Sequence, residues 1–191
     1  MSVTVQKDKI MKIYWMANSF KNGYDDAIKN IQIKRISTNP GNGDDVPYCI
    51  ALGSLACELY LKFIYSYNYA TDPNNRNSNV VSFSKVHDLN MLFNKLTTQQ
   101  KTDIITYMAD TAFETNLKSH SDDFKTWRYI FEHNIKNSDY QSTFLEKFVS
   151  VLYSYATTII VDNHSNDLFE NFDMQNISMS GTFESEHETE E

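Results

Sequence analysis

Two side chains of one short segment could do chemistry together: Arg128 and His133, with four residues between them. An imidazole can take or give a proton near neutral pH, and a guanidinium can hold negative charge as it grows. On one regular helix a five-residue separation would turn the two side chains ~140° apart. Convergence then needs a partner chain or a broken helix. The pair lies in an aromatic-rich stretch, Phe124 to Asn134. There Trp127, Tyr129 and Phe131 could stack on nucleic-acid bases, although such a cluster more commonly packs between helices.

Other candidates are weaker. Glu58 and Lys62 stand i, i+4, which on an exposed helix stabilises by only a few tenths of a kcal/mol. Set among Leu55, Leu59 and Phe63, they could instead reach toward Arg128 and tie two helices together, and this structural tie is preferred to a catalytic role. His87 reads as a cap or packing residue at a helix start, with Asp88 in the first turn favoured by the helix dipole. No second histidine or carboxylate stands near it at metal-ligand spacing, so no metal site is expected. His120 and His164 sit in loop and tail regions, and His187 lies among acids. Cys49 and Cys57, the only cysteines, would lie ~12 Å apart along one helix, too far for a disulfide. Gly41 and Gly43 precede no Gly-Lys-Ser/Thr motif, which argues against an NTPase or nucleotidyl transferase. No cofactor is implied.

The elements that must position these residues are helices. Ile10, Ile13, Tyr14, Ala17, Phe20, Tyr24, Ala27 and Ile31 recur at helical spacing and predict a first helix over 7–33. A loop rich in Pro, Gly and Asn covers 37–45. A second helix starts near Val46 or Pro47, with Pro suited to the first turn, and runs through Ile50, Leu52, Leu55, Ala56, Leu59, Phe63 and Ile64. After a polar loop at 71–79, a short third helix begins near His87-Asp88. A fourth, capped by Thr97 or Thr98, is expected from Gln99 to Leu117, and a last one from Gln141 to Val161. Strand alternation is faint, with Ile31 to Ile36 and Val80-Val81 the only candidates. The class is therefore all-α: a single up-and-down bundle of about five helices over residues 1–162.

Charge divides the chain. Of 25 acids, eight fall between Asn163 and Glu191, where no Lys or Arg occurs, so the 17 bases of residues 1–162 face 17 acids. The body is neutral, and 163–191 reads as a disordered acidic tail. An acidic chain with a neutral body can still carry an RNA-binding surface. Residues 1–35 hold a local excess of four positive charges, more commonly the solvated side of a helix than a phosphate-facing surface. A signal-peptide core is lacking and no apolar run approaches the ~20 residues that span a bilayer. A cytoplasmic location without membrane contact is expected.

Three segments, in order, resemble the HEPN superfamily of helical bundles: Glu58-Leu59-Tyr60-Leu61-Lys62, then His87-Asp88-Leu89, then Trp127-Arg128-Tyr129-Ile130-Phe131-Glu132. The resemblance covers about residues 46–155. It implies a metal-independent ribonuclease of toxin–antitoxin or phage-defence systems, with Arg128 and His133 as the catalytic pair. Glu58, Lys62, Tyr129 and Glu132 would support them. It also implies RNA as substrate, a homodimer that completes the site across its interface, and an antitoxin or other protein partner. Tyr129 stands where the ribonuclease members usually carry Asn, His or Asp. The alternative is accordingly a non-catalytic HEPN module that binds a protein, nucleotide or nucleic acid.

Overall fold

A computed structural model of the chain describes residues 2–6, 9–36, 45–72, 74, 80–84, 86–121 and 142–162. Among these residues there are six helices: α1 (Ile10–Ile36), α2 (Asp45–Thr71), α3 (Leu89–Phe93), α4 (Thr98–Met108), α5 (Phe113–Ser119) and α6 (Ser142–Asp162). The class is all-α, as the periodicity predicts. One two-stranded ribbon accompanies the helices. Strand β1 (Ser2–Gln6) pairs antiparallel with β2 (Val80–Ser84), Val3 opposite Phe83 and Val5 opposite Val81. The faint signal at Val80-Val81 thus marks a strand, whereas Ile31–Ile36 is helical. The acidic stretch 163–191 lies outside the described residues.

Helix α2 is the axis of the fold. From Ala56 to Ile64 every residue is buried, whichever way it faces. A surface helix buries one stripe; a helix buried all round must be enclosed by others. Pro47 falls in the first turn of α2, where its missing N–H costs no hydrogen bond. Helices α1, α3 and α6 and strand β2 pack against α2. Polar bonds fix some of these contacts. The Tyr60 hydroxyl donates to Asn18 Oδ1 on α1 at 2.6 Å. Asn68 and Gln100 exchange two amide hydrogen bonds of 2.7 Å, joining α2 to α4. Gln100 also closes the capping box at Thr97, which satisfies otherwise orphaned N–H groups at the start of α4.

The single fourth helix expected over 99–117 is broken in two. Ala109 takes a left-handed conformation, φ 44° and ψ 40°, and ends α4. Asp110 then accepts from the Ala112 N–H at 2.9 Å and from the Asn116 side chain at 2.8 Å, which turns the chain into α5. These two hydrogen bonds, Asn116 first, hold the Asp110 carboxyl below its ordinary range. Neither Gly nor Pro marks the break.

Close packing of α1, α2 and α6 depends on Gly53. A Cβ there would lie 2.8 Å from Tyr24 Cε2, 2.9 Å from Tyr24 Cδ2 and 3.0 Å from Leu145 Cδ2. Elsewhere in a helix, Gly to Ala stabilises by about 1 kcal/mol. Here the Tyr24 ring, 2% exposed, cannot swing clear. Gly53→Ala is expected to reverse that sign and destabilise by about 1–3 kcal/mol through overpacking. Urea unfolding of the two proteins checks it; a higher midpoint in the variant would show that the neighbours yield.

By length and composition two helical segments, Tyr48–Thr71 and Thr143–Asp162, are apolar enough to cross a membrane. This corrects the expectation that no apolar run approaches spanning length. The core helix of a soluble protein passes the same test, and the Tyr48–Thr71 window is 78% buried within the fold, against 33% for Thr143–Asp162.

Candidate functional site

Four polar residues stand one turn apart along α2, and all are buried: Ser54, Glu58, Lys62 and Ser66. In a helix this spacing places them in one slowly drifting row. Glu58 is 2% exposed and Lys62 3%, and the Lys62 ammonium donates to Glu58 Oε1 at 2.7 Å. The pair is therefore not the solvated surface pair that its spacing alone allowed. The hydroxyls of Ser54 and Ser66, at the ends of the row, have no hydrogen-bond partner among the described residues.

A third charged or ionisable group joins from the segment before α3. His87 Nδ1 lies 3.0 Å from Glu58 Oε1 and 3.1 Å from Oε2. A carboxylate only accepts, so Nδ1 carries the proton and donates, and in the neutral ring Nε2 is the basic nitrogen. Two neighbouring contacts hold the backbone that presents the ring. Asp88 accepts from the Met91 N–H at 2.7 Å and caps α3, while the Leu89 N–H donates to the Ser121 carbonyl at 3.0 Å. The His87 side chain remains 48% exposed, against 3% for that of Glu58. The arrangement is thus a buried carboxylate, balanced by a buried ammonium, gripping one edge of an imidazole whose body reaches solvent.

Asp88, not His87, is the helix cap. His87 carries a tie from α2 through Glu58; the expected tie to Arg128 lies outside the described residues. Arg128, Tyr129, Glu132 and His133 lie outside the described residues; the two expected site residues within them, Glu58 and Lys62, are brought together. His120 is also engaged: it stacks on Phe144 at 5.1 Å and 8° between planes. In the sequence His87 stood out by its place at a helix start and in the His87-Asp88-Leu89 segment. Its partner lies 29 residues away, beyond any local pattern.

Cys49 and Cys57 are both buried, and burial pushes the Cys49 thiol up to about 12. Such thiols are inert toward substrates. Among the described residues no three His, Cys, Asp or Glu side chains group so as to hold a metal ion. Two surface grooves are formed by described residues. One of about 620 Å³ runs between α4 and α6 past Asp103, Tyr107, Tyr155 and Asp162; burial, then Asp103, pushes the Tyr155 hydroxyl up to about 12. The other, of about 370 Å³, is lined by Asn90, Asn94, Lys101 and Lys118 among others. Neither includes Glu58, Lys62 or His87.

No family model, curated protein or solved structure matches the chain.

Proposed function

We propose that this protein acts on RNA as a HEPN-type, metal-independent ribonuclease of a toxin–antitoxin or phage-defence system. In this reading it works in the cytoplasm as a homodimer, held in check by an antitoxin or other partner protein. Arg128 would hold the charge that grows on the phosphate, and His133 would move a proton at the 2′-hydroxyl or at the leaving oxygen. Glu58 and Lys62 would position the frame, and Tyr129 and Glu132, between Arg128 and His133 in sequence, would support the pair. One observation supports the reading. The first two of the three resembling segments are distant in sequence, yet they meet at a single polar node, with Glu58 of the one bonded to His87 of the other. Residues that pack merely as helix would have no need to converge on charge.

The test is cleavage of total RNA in EDTA by the parent protein, Arg128→Ala and His133→Ala. Each substitution is expected to lower the rate at least about 100-fold, the low end of what a positioned acid–base group or a charge-stabilising donor supplies. Melting temperatures should stay near the parent's. Equal rates in Arg128→Ala and the parent would end the nuclease reading.

A second reading, a non-catalytic module that binds a protein, nucleotide or nucleic acid, is favoured by the burial of Glu58 and Lys62 against each other. It gives binding without turnover in the same assay.

A further inference from the structure

We propose that the cavity between α3, α4 and α5 is a binding site for a small phosphate monoester, a role separate from RNA cleavage. Its volume is about 370 Å³, at the small end of ligand pockets, which run roughly 300–1,000 Å³. Lys101 of α4 and Lys118 of α5 both line it. Elsewhere in the fold Lys21, Lys62 and Lys95 are engaged, by Asp25, Glu58 and the Tyr65 ring. The side chains of Lys101 and Lys118 have no ion pair or hydrogen bond among the described residues. Glu114 is the one acid among the lining residues and pairs with neither, so the lining carries one net positive charge. Two cations that share a cavity repel each other; an anion between them reverses the sign.

The other donors agree with a phosphate. The Asn94 amide nitrogen donates to the Asn90 carbonyl at 2.9 Å and lies 3.3 Å from Asn90 Oδ1. The Asn90 amide therefore keeps its own N–H groups for a ligand. Thr98 is the first residue of α4, an 11-residue helix, and lines the cavity, which brings the positive end of that helix to the anion. Planar carboxylates are matched best by the arginine fork, whereas lysine acts as a point charge that suits a tetrahedral phosphate. No arginine lines the cavity. A phosphate monoester carries about −1.5 to −2 charges near pH 7, enough to engage both ammoniums. Phe93, Phe113 and Leu117, each 5% exposed or less, complete the lining with a packed apolar wall. That wall suits the carbon body of an ester, which inorganic phosphate lacks.

The test is calorimetric titration of the full chain with phenyl phosphate, with benzoate and phenol as comparison ligands. Phenyl phosphate is expected to saturate one site per chain, and phenol none. Lys101→Met and Lys118→Met keep the apolar stem of the side chain and remove its charge. Each should weaken phenyl phosphate at least about tenfold, the scale of one lost hydrogen bond to a charged group. Melting temperatures should stay parent-like. Lys12→Met, at an exposed position of α1, should leave the affinity unchanged. Full affinity in either cavity variant overturns the site, as does the absence of saturable binding at millimolar phenyl phosphate. Benzoate bound as tightly as phenyl phosphate overturns the choice of a phosphate. Displacement of phenyl phosphate by an RNA strand without terminal phosphates overturns the choice of a monoester. None of these outcomes depends on RNA cleavage, so the failure of the nuclease reading would leave this site standing.

Discussion

Replacing Glu58 by alanine is expected to destabilise the protein by about 3–5 kcal/mol, the loss that follows when one member of a buried ion pair is removed. The cause is what remains. Lys62 is 3% exposed and would keep its charge in the core without its carboxylate, while His87 would lose its hydrogen bonds to Glu58. Asp26→Ala is the control, because the Asp26–Lys29 pair has side chains 73% and 69% exposed; such pairs are worth about 0–1 kcal/mol. Denaturant unfolding of both variants reads the difference. The double variant Glu58→Met, Lys62→Met sharpens the point. Replacing both charges by apolar side chains of similar size is often neutral or stabilising, so the double variant should be more stable than Glu58→Ala. A Glu58→Ala midpoint no lower than that of Asp26→Ala would mean that the pair does not carry the fold.

Phe148→Ala should cost about 3–5 kcal/mol, the range for truncating a buried aromatic side chain. Phe148 is 0% exposed. Its ring lies 5.8 Å from Phe113 on α5, edge to face, and 5.4 Å from Phe144 on α6. Phe93 of α3 joins the same cluster through Phe113 at 5.1 Å. Removing the Phe148 ring opens a cavity where α3, α5 and α6 meet. Met91→Ala is the comparison: Met91 is 53% exposed, and changes at such positions usually stay within about 0.5 kcal/mol. Thermal unfolding that fails to separate the two variants would contradict this packing.

The sequence shows the long helices because their apolar residues repeat at helical spacing, and because the caps are local. Thr97 with Gln100, and Pro47 after Asp45, lie within one turn of what they stabilise. Three features depend on partners far along the chain and were not legible. The ribbon pairs Ser2 with Ser84, and five alternating residues are too few to stand out alone. The break after α4 uses Ala109 in a conformation that favours glycine, followed by the side-chain acceptors of Asp110. The burial of Glu58 follows from α2 lying at the centre of the fold, a property of the whole packing. Spacing finds the Glu58–Lys62 pair but not its environment, and it misses His87 as the third member for the same reason.

Central to the account is RNA cleavage through the substrate's own 2′-hydroxyl, without a metal. The most direct measurement is single-turnover incubation, in EDTA, of an all-ribose strand and of the same strand with one 2′-deoxyribose at the expected cut. The all-ribose strand is expected to be cut to a 2′,3′-cyclic phosphate end while the substituted strand stays whole. Equal cleavage of both strands, or of neither, would contradict it.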